Sequence, residues 1–411
     1  MHNIALKLNG DKPTDLSVFN ENIAARRYSS QGQFLAKIER FAFSGNNLRR
    51  LESSLAKSSV LSSRDQELKV WGYAEIIDSH HRAFTVGQGF YGWFPMSRYF
   101  IGSDYSVIAD EYSLFSGSST ASTNLSGFDI FAQPEEYFAG EHFTSMVTAS
   151  ESEASRVLMT SRSHVFGGQP ENADNAVYSF EEFVIPEIHL FLSPILKTVF
   201  ALAETLRSEN FKNADTLIFT GAASKSALAL AFILKYWRTY TYKNKIPKII
   251  GLTSTHHLNH VKKLDYFDDV FNYPNLREIQ LSKGTLIDFT GNLQVLGMLH
   301  FYLKQKLGYV YSMSNLESAA DEILAMSDAQ NHLSLPEGEF FDGRDYYSAA
   351  RANSDICNLV QRYQEHSVIV CEAFSNWLAP TLLSGPEDVR WAYRQLMAGK
   401  TDPRVAYLCQ L

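Results

Sequence analysis

From Thr216 to Leu234 the chain reads Thr-Leu-Ile-Phe-Thr-Gly-Ala-Ala-Ser-Lys-Ser-Ala-Leu-Ala-Leu-Ala-Phe-Ile-Leu: a short apolar run, a turn of small residues, then a stretch of Ala and Leu. The apolar run is the pattern of a buried strand and the last stretch that of a helix. A turn of this make-up can bind phosphate. Side chains as small as those of Gly221, Ala222 and Ala223 let a pyrophosphate approach the backbone. A helix that starts near Ser224, Lys225 and Ser226 offers free N–H groups and the positive end of its dipole, and Lys225 adds a cation. The full G-x-G-x-x-G spacing is absent, with Gly221 the one glycine of the turn, so an ordinary βαβ crossover could be written the same way.

Two later segments bear on the same chemistry. After the strand-like Lys248-Ile-Ile-Gly-Leu252 comes Thr253-Ser254, where a site selective for an unphosphorylated dinucleotide carries an Asp or Glu for the ribose hydroxyls. That acid is missing. Thr253, Ser254, His256 and His257 could instead accommodate a 2'-phosphate, which favours NADP(H) as the cofactor. Thr285-Leu-Ile-Asp-Phe-Thr-Gly-Asn292 is a further strand ending in a small polar turn, so Thr290, Gly291 and Asn292 join the candidate cofactor contacts, as does Tyr273 on the segment between. Each of these also reads as a loop with ordinary turn chemistry.

Other spacings are weaker. His256 and His260 are four apart and would share a helix face, as metal ligands can, but no Glu stands where H-E-x-x-H chemistry needs one. Ser54-Leu-Ala-Lys57 matches S-x-x-K without the S-D-N and K-T-G partners, and there is no G-x-S-x-G elbow.

The elements that must position these residues follow from texture. Up to about residue 185 the chain is rich in glycine, aromatics and short apolar runs such as Lys69-Val-Trp-Gly-Tyr-Ala-Glu-Ile-Ile77 and Gly89-Phe-Tyr-Gly-Trp-Phe-Pro95, the pattern of short strands and turns. From Ile188 to Leu206 apolar residues recur at helical spacing, with Pro194 marking a start or kink. Strand-like and helix-like segments then alternate to Ser312, which argues a parallel sheet covered by helices, and Ser367-Val-Ile-Val-Cys371 reads as a last strand.

With 411 residues the chain exceeds the size at which one core stops growing, so two domains are expected, in a chain 45% hydrophobic and 20% charged. A net charge of −8 without a basic run argues against a nucleic-acid partner. The N-terminus lacks a signal-peptide run and no twenty-residue apolar stretch stands out, so a cytoplasmic protein without a membrane partner is expected. The three cysteines, Cys357, Cys371 and Cys409, suit neither a disulfide framework nor a zinc cluster.

Taken in order, Phe41-Ala-Phe-Ser-Gly-Asn-Asn47, Trp71-Gly-Tyr-Ala74, Gly89-Phe-Tyr-Gly-Trp-Phe-Pro-Met-Ser97, Ala222-Ala-Ser-Lys-Ser226, Gly251-Leu-Thr-Ser254 and Ile287-Asp-Phe-Thr-Gly-Asn292 resemble the medium-chain dehydrogenase/reductase superfamily. The resemblance is to its zinc-independent, quinone- and enoyl-reductase-like part, and most closely to a family of that type known as a domain of unknown function. It implies an α/β protein: a GroES-like β-barrel domain from residues 1–185 with about 360–411, and a Rossmann-type doubly wound parallel-sheet domain from 186–359. Zinc-dependent members place a cysteine near where Asn46 and Asn47 stand and follow it with Gly-His-Glu. Here no cysteine precedes position 357, and Gly140-Glu-His-Phe143 scrambles that order, so no catalytic zinc is expected. Without a metal, charge developing on a substrate oxygen needs hydrogen-bond donors; Asn46, Asn47, Tyr91 and Tyr99 are the candidates, a tyrosine also as general acid. As structural residues, tyrosines of this kind fill cores and paired asparagines form turns.

The reading that results is an NADPH-dependent reductase of an activated C=C or C=O bond in a small or carrier-bound substrate. The alternatives are a protein that binds cofactor without catalysis and regulates or scaffolds a partner, and a non-redox enzyme reusing the cleft. By analogy with look-alikes, assembly would be a homodimer through the edge of the Rossmann sheet.

Overall fold

The computed structural model describes residues 1–8, 15–23, 33–43, 66–80, 86–87, 89–103, 128–129, 187–242, 245–313, 337–341, 343, 346–347, 349, 356–398 and 400–411. In chain order the strands of the first part are β1 His2–Leu8, β2 Leu16–Asn22, β3 Gln33–Phe43, β4 Gln66–Glu67, β5 Lys69–Ser79, β6 Gly89–Pro95, β7 Tyr99–Ser103 and β8 Phe128–Asp129. There follow α1 Glu187–Ser208, β9 Thr216–Phe219, α2 Lys225–Tyr236, β10 Lys248–Thr253, α3 Leu258–Leu264, β11 Asp269–Asn272, β12 Gly284–Asp288, α4 Leu293–Leu303, β13 Leu307–Ser312 and β14 Glu337–Phe340. The last elements are α5 Ile356–Ser375, β15 Ala379–Ser384, α6 Pro386–Met397 and β16 Val405–Gln410. The chain divides into two compact units, Met1–Pro194 with Tyr347–Leu411, and Ile195–Tyr346.

In the first unit β3 is the strand on which the others are assembled. One of its edges pairs antiparallel with β5. The other is shared, residues 33–37 with β7 and 41–43 with β16. β6 and β8 extend the sheet beyond β5, while β15 adds itself parallel to β16. A smaller sheet, β2-β1-β4, is tied to the turn between β6 and β7 where Leu6 N–H donates to the Met96 carbonyl and Arg98 N–H to that of Ile4, both at 2.8 Å. Pro380 is tolerated because β15 is an edge strand and its missing N–H leaves no ladder bond unmade. Alternation puts Val70, Ala74 and Ile76 of β5 inside, with Phe34, Phe41 and Phe94, all essentially inaccessible.

The second unit is a six-stranded sheet in the order β11-β10-β9-β12-β13-β14, every pair parallel. Counting from β9, that is third, second, first, fourth, fifth, sixth. Strand order therefore reverses between β9 and β12, the position at which sheets wound this way have a crevice beyond the carboxyl ends of their strands. β9 and β12 are buried along their whole length, as strands covered on both faces must be, which is why they read as unbroken apolar runs. Ile218, Ile250, Leu252, Leu286, Val295 and Leu299 form one core cluster binding the sheet to α4.

Three expectations change. Residues 367–371 are helical, within α5; Leu359, Tyr363, Ser367, Val370 and Phe374 are buried at intervals of three and four, and the short apolar run was one turn of that stripe. α3 begins at Leu258, so His256 lies before the helix and shares no helix face with His260. Finally, α1 does have the length and mean hydropathy of a membrane span, 1.3 over an 18-residue window of which 83% is buried inside the protein. It carries the polar residues Ser193, Lys197 and Glu204 within that buried surface.

His300 of α4 is 8% exposed, and among the described residues neither ring nitrogen has a hydrogen-bond partner. Burial therefore pulls its pKa below the usual histidine value. Protonation then favours the unfolded chain, so the folded state loses stability as pH falls below about 6.5 and onward to the lower folded value. His300→Leu is expected to raise stability by about 1 kcal/mol at neutral pH and to flatten the fall in Tm between neutral and mildly acid pH, measured by thermal melts.

Candidate functional site

The turn after β9 is shaped by three backbone donors that go three ways. Thr220 N–H donates to the Ile287 carbonyl of β12 at 3.1 Å and Ala222 N–H to that of Leu252 in β10 at 2.9 Å. Between them Gly221 N–H leaves both neighbouring strands and donates to the Tyr273 hydroxyl at 3.0 Å. That orientation needs a left-handed residue, and Gly221 has φ +58; a Cβ there would meet Thr290 Cγ2 at 3.0 Å. Ala222 approaches β10 so closely that a Cβ on Gly251 would stand 2.9 Å from its own.

α2 opens directly from this turn. Ser224 is its N-cap: the hydroxyl accepts from Ala227 N–H at 3.3 Å, and Ser224 N–H donates to the Gly221 carbonyl at 2.7 Å. Lys225 and Ser226 follow as the first two residues of α2, their N–H groups at the positive end of the dipole.

Across the switch point, β12 ends in Asp288, whose carboxylate is completely inaccessible. Oδ1 accepts from the Thr220 hydroxyl at 2.5 Å, from the Thr290 hydroxyl at 2.8 Å and from Thr290 N–H at 3.0 Å, while Oδ2 accepts from Gly291 N–H at 3.0 Å. Both hydroxyls are oriented by backbone donors of their own, Phe289 N–H into Thr220 Oγ1 at 3.0 Å and Asn292 N–H into Thr290 Oγ1 at 3.2 Å. Each therefore has its proton left for Asp288. Asn292 then caps α4, accepting from the N–H groups of Gln294 and Val295. One carboxylate thus fixes the ends of both central strands.

At the end of β10, Ser254, Thr255 and His256 are exposed, with His256 edge-on to His257 at 4.9 Å between ring centroids. Thr253 is only 2% exposed, so its side chain is part of the core rather than of the ligand-facing rim expected from the sequence. Tyr273, just past β11, reaches back over β10 to Gly221; burial raises its pKa, the Asp288 charge adds to the shift, and the Gly221 N–H opposes it.

The structure thus brings Gly221, Ala222, Ala223, Ser224, Lys225, Ser226, Ser254, His256, Tyr273, Thr290, Gly291 and Asn292 to loops at the carboxyl edge of one sheet. Tyr99 belongs to the other unit, half-buried on β7, where its N–H donates to Asn3 Oδ1 at 2.9 Å and its carbonyl accepts from the Ser97 hydroxyl at 2.7 Å. Asn46 and Asn47 lie outside the described residues, as does the side chain of Tyr91. Sequence reasoning passed over Thr220 and Asp288, although an acid inside the apolar run Leu286-Ile-Asp-Phe289 was a signal that donors must come to meet it. Gly221→Ala is expected to cost about 1–2 kcal/mol through left-handed strain and the Thr290 contact, read as a lower Tm.

Comparison with solved structures finds the same fold. CurA from Vibrio vulnificus, alone and in complex with NADPH, superposes with a TM-score of 0.55 at 14% identity, covering 99% of this chain and 98% of that one. A protein from Mesorhizobium loti named as an NADPH:quinone reductase superposes with a TM-score of 0.54 at 10% identity, covering 100% and 98%. At such identities the likeness is one of fold. No curated protein matches by sequence. The family model described as "Protein of unknown function (DUF2855)" matches residues 175–402, more than half of the chain, and the protein belongs to that family.

Proposed function

We propose that this chain is an NADPH-dependent oxidoreductase that reduces an activated C=C or C=O bond of a small or carrier-bound substrate without a catalytic zinc. The observation that carries the reading is the β11-β10-β9-β12-β13-β14 order, with a glycine turn and helix start at its reversal point. Parallel sheets wound in this order bind dinucleotides across that crevice. The residues fit such a ligand: Gly221 leaves the turn without a side chain, and Lys225 and Ser226 open α2 at the positive end of its dipole. The likeness to CurA, a protein solved with NADPH, supports the same assignment.

In this reading Lys225 and Ser226 hold the pyrophosphate, and the exposed Ser254 and His256 take the 2'-phosphate, a position where an acid would repel it. When bound, NADPH supplies a hydride to an electron-poor carbon. The chain must then stabilise charge on the substrate oxygen and deliver one proton; Asn46 and Asn47 are assigned the first task and Tyr91 or Tyr99 the second.

Titration of the purified protein with NADPH and NADH, followed by nicotinamide fluorescence and thermal shift, tests the reading. The expected result is preferential NADPH binding, weakened on the order of tenfold or more by Lys225→Glu, with Ser254→Asp reducing the preference over NADH. Failure of the wild type to bind either dinucleotide would overturn the assignment and leave the fold as a scaffold put to another use.

A further inference from the structure

From the geometry of Asp288 we infer that its buried carboxylate is a positioning and electrostatic residue that biases the site toward the oxidised, cationic form of the nicotinamide. The inference rests on the dinucleotide reading above.

Three observations carry it. The carboxylate is completely inaccessible, and all four of its hydrogen bonds come from neutral groups: the hydroxyls of Thr220 and Thr290 and the N–H groups of Thr290 and Gly291. Because each hydroxyl already accepts from a backbone N–H, both donate to Asp288, so every contact is one made to an acceptor. All four contacts are ones that an ionised carboxylate accepts. Among the described residues no Lys, Arg or His pairs with it, so none of them neutralises the charge of the ionised form.

The second observation is position. Asp288 is the last residue of β12, the first strand of the second mononucleotide-binding half, β12-β13-β14. In a sheet wound this way the phosphate turn after β9 serves the adenosine half, and the nicotinamide half extends over the ends of β12 and its successors.

The third is economy of donors. The N–H groups of Thr290 and Gly291 and both hydroxyls are consumed by Asp288, so what this loop presents to a ligand above it is mainly the field of a fixed charge. A nicotinamide ring is neutral when reduced and carries one positive charge after giving up a hydride. A negative charge held in a low-dielectric setting favours the second state over the first, and so favours hydride donation by the bound cofactor.

The test is the ratio of two dissociation constants. NADP+ and NADPH are each titrated into the wild type, Asp288→Asn and Thr290→Val, with binding read by calorimetry. Asp288→Asn removes the charge and keeps the shape; it is expected to weaken NADP+ relative to NADPH on the order of tenfold, the scale of one unit charge acting on another across a partly screened interior. Thr290→Val loosens the same cage but keeps the charge, so it should move both constants together and leave their ratio alone. A ratio that does not change in Asp288→Asn, with both forms still bound, overturns the inference while leaving the dinucleotide reading intact. Binding of neither form by the wild type overturns that reading instead. Should Asp288→Asn fail to fold, the wild type decides: NADP+ held at least as tightly as NADPH supports the bias, and a tenfold preference for NADPH overturns it.

Discussion

A carboxylate sealed from water cannot exist without donors brought to it, and around Asp288 that requirement organises the centre of the parallel sheet. Thr220 arrives from the end of β9, Thr290 and Gly291 from the turn after β12, and each must be placed to about the tolerance of a hydrogen bond. Losing one partner of such an arrangement leaves a buried charge short of donors, which costs more than the bond itself contributes. The two central strands are consequently fixed to each other beyond their ladder, at the end where their loops part. Gly221, whose left-handed backbone turns its N–H toward Tyr273, extends the same construction to the strand two places away.

How far this was legible in the sequence depends on the range of the interaction concerned. The alternation of strand and helix from Thr216 to Ser312 was visible because each element carries its own period of burial. The cap at Ser224 and the turn at Gly221 were visible because small residues at a strand-to-helix junction have few other reasons to be there. Residues 367–371 misled because a run of five apolar or small residues is compatible with either period; only the stripe from Leu359 to Phe374 separates them. The order of the six strands and the Asp288 cage were not legible. Both depend on contacts between separate segments, 68 residues apart for Thr220 and Asp288, and no local pattern encodes which strand lies beside which.

The same distinction separates the proposed phosphate turn from the proposed chemistry. Residues from Gly221 to Ser226 are contiguous, and a small-residue turn that opens a helix can be read from composition. Thr253 shows the limit, since its neighbour Ser254 is exposed and it is not: a strand's pleat decides which of two adjacent polar residues meets a ligand. The proposed donors for proton delivery and oxyanion support, Asn46, Asn47, Tyr91 and Tyr99, stand in a sequence that offers aromatic strands and an asparagine pair but no spacing that marks them as chemical.

The first unit is built from both ends of the chain, and that arrangement bears on how the protein is made. β16 sits between β15 and β3, with Leu408 and Cys409 fully buried and Tyr407 to Cys409 laddered onto Phe41 to Phe43. Its carboxyl end is held further by Arg98, whose side chain donates to the Leu411 carbonyl at 2.9 Å. During synthesis β3 emerges well before β16, and its residues 41–43 lack this neighbour until then. The strands of the parallel sheet all lie within residues 195–346, ahead of β16. Until β16 is made, residues 41–43 of β3 present an unpaired edge, the kind of surface that can pair with other chains.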